Sequence, residues 1–160
     1  MTKVFLALGA NVGDTKSNIE KAIALIGQKL SGVKTAPIYK TKPWGYTKQP
    51  YFLNTALSGK TDLTPEELLD FVKDVEKKVG RQKRIRWGPR EIDVDLIFYG
   101  ETVSQSKRLT IPHRDAWRRD FVLKPIVDLE PGLVHPLLKK SITKLFEDIP
   151  RSEKTIISPL

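Results

Sequence analysis

Asp93-Val94-Asp95 places two carboxylates one residue apart within the apolar segment Ile92 to Tyr99. If that segment is a strand, both side chains face one side, about 6.6 Å apart along the chain. Charges of one sign so close repel, and neither tolerates burial without a partner. A hard cation between them removes the repulsion and makes a phosphate binder; such oxygen ligands suit magnesium, manganese or calcium. The pair also reads as an exposed strand face, or as the acidic half of salt bridges to nearby arginines. The preceding stretch favours the metal. From residue 77 to residue 90 there are seven basic side chains (Lys77, Lys78, Arg81, Lys83, Arg84, Arg86 and Arg90) and no acidic one. Such a run repels itself unless it is solvated or faces anions. The arginine fork matches paired phosphate oxygens. Carboxylates for a cation beside arginines for developing charge are what a magnesium–nucleotide complex requires. Gly80 and Gly88 would let this basic loop move over the site.

Two further groups have chemical potential. His113 lies in Pro112-His113-Arg114-Asp115, close to Arg118, Arg119 and Phe121, where it can donate to a phosphate oxygen. His135, beside Pro136, has no such company. Asn54 interrupts the apolar stretch Tyr51-Phe52-Leu53-Asn54, with Trp44 and Gly45 shortly before it. A buried amide needs partners for both its donor and its acceptor, and the edge of a flat heterocycle supplies them.

Positioning these groups calls for a scaffold. The apolar run Val4 to Leu8 reads as a buried strand ending at Gly9. Asn11 or Asp14 caps a following helix with Ile19, Ala22, Ile23 and Ile26 on one face, expected to stop near Gly32. Val33 to Tyr39 reads as a second strand, demoted in part by Pro37, and Lys42 to Pro50 as a loop. Tyr51 to Leu57 is a third strand, ending at Ser58-Gly59. Thr64-Pro65-Glu66-Glu67 is a helix start with a Thr cap, Pro at the first position and Glu at the third. Leu68, Leu69, Val72, Val75 and Val79 form the apolar face of that helix, which Gly80 ends. The order strand, helix, strand, strand, helix, strand predicts an α+β fold: a ferredoxin-like αβ sandwich, its antiparallel sheet covered by helices. Beyond Gly100 the sequence predicts a short strand around Thr102-Val103, Pro-bounded loops and a last helix from Ser141 to Glu147. Arg151 to Leu160 carry no readable role. Without repeats or linkers, residues 1–160 read as one domain.

Bulk properties narrow the function. The 160 residues include no cysteine and two histidines, which excludes thiolate zinc sites and points any metal to carboxylate oxygen. No apolar run approaches the roughly 18–20 residues that span a bilayer, and Val4 to Leu8 is too short for a secretory core. The cytosol is the expected compartment. The net charge of +9 favours polyanions. A small RNA-binding module would share the charge, the sandwich and the strand aromatics. The Lys/Arg-Gly-Phe/Tyr motif of such modules is missing, however, and Asp93 and Asp95 would repel a nucleic-acid backbone. A magnesium–nucleotide enzyme with another acceptor remains the second alternative.

Several separated segments, in order, resemble the 6-hydroxymethyl-7,8-dihydropterin pyrophosphokinases, folate-biosynthesis enzymes that move pyrophosphate from ATP onto a pterin alcohol. They are Leu8-Gly9-Ala10-Asn11-Val12-Gly13-Asp14, Gly80-Arg81, Arg86-Trp87-Gly88-Pro89-Arg90, Ile92-Asp93-Val94-Asp95 and Leu109-Thr110-Ile111-Pro112-His113. The resemblance extends to at least Pro131 and implies the same fold. It implies that Asp93 and Asp95 hold two magnesium ions bridging the ATP phosphates, and that Arg81 and Arg90 assist transfer from mobile loops. A further loop arginine falls on Lys83 or Arg84, with Arg84 ahead because its side-chain fork matches. Lys73, Glu76, Leu96, Thr110 and His113, with Arg90, fall on the nucleotide side. Asn54, Phe52, Phe121 and Arg119 fall on the pterin side; Trp44 and Gly45 line that pocket, and Trp87 swings in as the loop closes. Arg114 stands where some relatives carry Tyr. The implied partners are ATP and the pterin alcohol, with neither nucleic acid nor membrane, for an enzyme expected to act as a monomer.

Overall fold

The computed structural model describes residues 1–82 and 84–160. At its centre lies β1 (Thr2–Ala10), whose side chains alternate between two apolar layers. Val4, Leu6, Leu8 and Ala10 face α1 (Thr15–Ile26) and, later in the chain, α2 (Pro65–Val79). Phe5 and Ala7 face the opposite layer. This period of two, covered on both faces, is why β1 reads as a continuous apolar run.

Asp14 is the cap of α1, its Oδ1 accepting from Ser17 N at 3.2 Å. The helix stops at Gly27, five residues before Gly32, because the chain must turn through 27–30 to enter β2 (Ser31–Thr35). Gly32 instead takes a φ of +61° inside β2, beside a register shift between Ser31 and Lys34. The single strand expected over Val33 to Tyr39 is two: β2, and β3 (Tyr39–Thr41), parted around Pro37. β4 (Phe52–Thr61) continues through Ser58-Gly59, where the sequence predicts an end. Gly59 does not break the strand; a Cβ there would lie 3.1 Å from Leu30, so it marks a close approach. The predicted capping box of α2 is present, Thr64 and Glu67 exchanging side-chain-to-backbone bonds, and Gly80 ends the helix at φ +115°.

β5 (Asp93–Tyr99) follows the basic loop. The short strand expected around Thr102-Val103 lies at β6 (Ser104–Gln105), paired with β7 (Thr110–Ile111). The stretch predicted as Pro-bounded loop contains a ten-residue helix, α3 (Asp120–Leu129), with Pro125 inside it. Proline forfeits one intrahelical bond and usually ends a helix. Here Val122, Leu123 and Ile126 anchor the helix on the sheet. α4 (Ile142–Glu147) is capped by Ser141 as predicted, and the tail forms β8 (Ile156–Pro159).

Every pairing in the main sheet is antiparallel, in the order β5-β1-β4-β3-β8, with β2 also on β4. α1 and α2 cover one face and α3 and α4 the other, which is the predicted sandwich. A bulge in β5 opposite Phe5/Leu6 puts both Ile97 and Phe98 into the α3 layer. No helix is long and apolar enough to cross a membrane among the described residues.

Candidate active site

Register gathers the polar residues. Gly9 of β1 lies opposite Asn54 on one side and Asp93 on the other, and Ala7 lies opposite Ala56 and Asp95. Directly paired residues share a face, so the two carboxylates and the amide all point towards α3. Between them lie Gly9 and Ala7, whose small size leaves a floor. A Cβ on Gly9 would lie 2.5 Å from Asn54 Oδ1, so only glycine fits beneath this amide. Phe52 and Thr41 extend the same face, and Asn54 Nδ2 donates to Thr41 Oγ1 at 2.7 Å.

One cavity is lined on the acidic side by Arg90, Asp93, Asp95 and His113. Its other side carries Asn54, Phe52, Thr41, Trp44, Trp87, Arg119 and Phe121. Most of the predicted residues therefore meet in one place. Glu76, Arg81 and Lys73 stand just behind it. Arg81 Nη1 lies 3.1 Å from Asp93 Oδ1 and 3.0 Å from Glu76 Oε1, and Lys73 Nζ lies 3.4 Å from Glu76. Arg90 Nη1 holds the other oxygen of Asp93 at 3.0 Å. The buried Glu76 accepts from Val94 N at 2.7 Å, tying α2 to the start of β5.

These charges perturb one another. Burial acts to raise the pKa of Asp93, but Arg90 and Arg81 outweigh it and hold the carboxyl below its ordinary value. Asp95 has no such arginine ion pair among the described residues; burial, then the charge of Asp93, push it up to about 8. Glu76 is raised by burial and by Asp93. Excess negative charge that drives one carboxyl to keep a proton is the condition a cation relieves. No cluster of three or more His, Cys, Asp or Glu side chains suited to a metal occurs among the described residues. The two carboxylates Asp93 and Asp95 are oxygen donors of the kind a hard cation takes, its remaining ligands coming from phosphate and water as with magnesium.

His113 follows the Ile111–Pro112 peptide, and its backbone N donates to Ile97 O at 3.0 Å. Its Nδ1 accepts from Asp115 N at 3.2 Å, which assigns the proton of the neutral ring to Nε2. Burial, then Arg119, lower its pKa, so the ring is a neutral donor. The Arg119 guanidinium lies 4.3 Å from the Trp44 ring centre, and its Nε is buried with no hydrogen-bond partner among the described residues.

The loops are tied by Asn11, expected only as a possible helix cap, and by Gln49. Asn11 donates from Nδ2 to Gln49 Oε1 at 2.9 Å, accepts from Arg90 N at 2.9 Å, and its own N donates to Arg90 O. Gln49 Nε2 donates to Trp87 O at 2.7 Å. Trp87 sits at φ +60° with its ring edge-on to Trp44, and a Cβ on Gly45 would lie 3.2 Å from it. Thus the 42–51 loop and the 84–90 segment meet at the cavity, which both Trp44 and Trp87 line. Polar residues in the Gly-Ala-Asn segment and next to Pro50 were the available signals; Thr41, inside a short strand, gave none.

Besides Lys73, Glu76 and Arg81 behind the cavity, four predicted residues lie apart from its lining, among them Gly45, which packs against the Trp87 ring. Arg84 pairs with Glu91 at 2.5 Å, on the outside of the loop. The Leu96 side chain is buried in the α1/α2 layer, leaving its backbone rather than its side chain for a ligand. Thr110 lines a neighbouring groove with His113. The alternative loop position, Lys83, is outside the described residues. His135 is buried, its Nδ1 accepting from Leu137 N and Leu138 N, and it shares that neighbouring groove with His113.

The family model described as 7,8-dihydro-6-hydroxymethylpterin-pyrophosphokinase (HPPK) matches residues 5–131. A 2-amino-4-hydroxy-6-hydroxymethyldihydropteridine pyrophosphokinase of Aquifex aeolicus is 44% identical over 142 residues, covering 89% of this chain and 89% of that protein. The bifunctional protein FolKE of Lactococcus lactis subsp. cremoris is 44% identical over 151 residues. It is covered over only 43% of its length, against 92% of this chain, so the match is to less than half of it. Wild-type Plasmodium falciparum HPPK-DHPS, crystallised with SDX-DHP, superposes with a TM-score of 0.72 at 17% identity, over 92% of this chain and 43% of that one. At that identity the likeness establishes the fold.

Proposed function

The chain belongs to the 7,8-dihydro-6-hydroxymethylpterin-pyrophosphokinase family and is an ATP-dependent pyrophosphokinase; from that premise we propose that it transfers pyrophosphate from ATP to 6-hydroxymethyl-7,8-dihydropterin, releasing AMP, in folate biosynthesis. The observation that carries this reading is the shared cavity, with Asp93 and Asp95 on one side of the Gly9–Ala7 floor and Asn54 on the other.

On the pterin side, Asn54 reads the edge of the heterocycle, with Thr41 fixing the amide. Phe121 and Phe52 supply stacking faces, Trp44 and Gly45 line the pocket, Trp87 closes over it and Arg119 offers its unpaired Nε to an acceptor. Lys73, Glu76, Thr110 and Arg90 serve the nucleotide side, with His113 near the phosphates and Leu96 contributing its backbone. Asp93 and Asp95 would hold two magnesium ions, which supply positive charge to the phosphate oxygens. Arg81 and Arg90, which pair with Asp93, are within reach of those phosphates and neutralise charge on the transferring and leaving groups, assisted by Arg84 if it leaves Glu91. The hydroxymethyl oxygen attacks the β-phosphorus in line, the bond from that phosphorus to the α-phosphate oxygen breaks, and the hydroxyl proton is released. Positioning and charge neutralisation drive such a transfer more than a strong base does. The same reading takes residues 1–160 as one domain, a cytosolic monomer acting on these two small molecules and on neither nucleic acid nor membrane.

With ATP, magnesium and the pterin alcohol, the protein is expected to release AMP only when all three are present; ADP would contradict the reading. Asp95→Ala should cut AMP release by about a hundredfold or more, since metal-borne charge stabilisation contributes several kcal/mol. Pterin binding should persist in that variant, and near-normal AMP release from it would exclude the two-metal arrangement.

A further inference from the structure

Asp120 and Thr155 take no part in the reaction above, yet the fold joins them. Asp120 is 1% exposed and Thr155 8%. Asp120 Oδ2 accepts from Thr155 N at 2.8 Å and Ile156 N at 3.0 Å, and Oδ1 accepts from Thr155 Oγ1 at 2.6 Å. A buried carboxylate is costly unless its lone pairs are filled; here the chain entering β8 fills them. Asp120 lies between Arg119 and Phe121 at the start of α3. Thr155 O accepts from Lys42 N at 2.8 Å, and Ile156 pairs with Thr41. Thr41 in turn holds the Asn54 amide. A continuous path thus runs from the ring of Phe121, through Asp120 and the first residues of β8, to the amide of Asn54.

We propose that Asp120 and Thr155 are positioning residues for the acceptor, their clamp fixing the gap between Phe121 on α3 and Asn54 on the sheet into which a flat heterocycle inserts. This rests on the pterin reading above and gives the carboxyl-terminal strand a function. The clamp acts on one substrate only, because Glu76, Arg81 and Asp93 are held by one another and by Val94 at the other side of the cavity.

The test is Thr155→Val and Thr155→Ser in the full chain, with KM for each substrate, kcat, the pterin Kd by intrinsic fluorescence, and Tm. Valine keeps the shape and removes the hydroxyl donor, leaving a buried carboxylate oxygen unfilled. The pterin KM and Kd should rise about tenfold, a change the loss of one bond to a charged group is large enough to produce. KM for ATP should stay unchanged, and serine should restore the wild-type values. An unchanged pterin KM, or equal changes for both substrates, overturns the clamp. If Thr155→Val does not fold, Asp120→Asn, which sets an amide against the same donors, must give the same selective rise. Wild-type protein that does not turn over the pterin alcohol would refute the functional reading instead.

Discussion

At Gly9 a single hydrogen decides what the cavity can hold. The sequence shows this glycine as the end of an apolar run. What it faces depends on the pairing of β1 with β4, which sets it opposite Asn54. Asn54 itself was legible, because an amide inside an apolar strand demands partners. So were Asp93 and Asp95, because two carboxylates at a period of two next to seven basic side chains carry a chemical meaning wherever the chain folds. Gly9 and Thr41 were not, since their roles are those of space and support. Gly9→Ala should therefore act on the acceptor. Its Cβ would meet Asn54 Oδ1 at 2.5 Å, and relieving such overpacking costs about 1–3 kcal/mol. Steady-state kinetics should show the pterin KM raised while KM for ATP stays constant; an unaltered pterin KM would mean that the amide does not read the heterocycle.

Among the elements, those with strong local signals were predictable and those made by tertiary contact were not. α2 begins with a capping box and ends at a glycine in the left-handed region, and both signals are local. α3 was hidden by Pro125, whose local preference is overridden by the packing of Val122, Leu123 and Ile126 on the sheet. β8 has no local signal; it exists because β3 offers an edge and Asp120 a carboxylate. α3 is also tied to β3 by a hydrogen bond from the Tyr39 hydroxyl to Asp128. Burial, then this bond and the charge of Asp128, raise the Tyr39 pKa from 10.0 to about 12. A pKa raised on folding contributes stability that is complete below the unfolded value and lost as pH climbs through the folded one. Wild-type protein should accordingly lose stability between pH 10 and 12, and Tyr39→Phe should lose less over that interval. Parallel curves for the two proteins in chemical denaturation would remove Tyr39 from the account.

Taken as a whole, the molecule is a sheet used on both faces for different ends. One face, with α1 and α2, is closed by aliphatic packing. The other is packed under α3 and α4 with the Phe5 and Phe98 rings among its aliphatic side chains, but opens where β1 offers only Gly9 and Ala7. The αβ sandwich was legible because the elements alternate in a split pattern that permits few topologies. The side of the sheet on which chemistry occurs was not, because it is set by register and by a helix that the sequence concealed. On the proposed function, carboxylates and amide facing one another across one floor would let a nucleotide phosphate meet a heterocycle's alcohol. The most direct test labels the hydroxymethyl oxygen of the pterin with ¹⁸O and follows the product by ³¹P NMR and mass spectrometry. Attack on the β-phosphorus predicts that the label stays in the bridge between the pterin methylene and the β-phosphorus, with unlabelled AMP. Label lost from that bridge, or transfer of the γ-phosphate alone with release of ADP, would contradict the account.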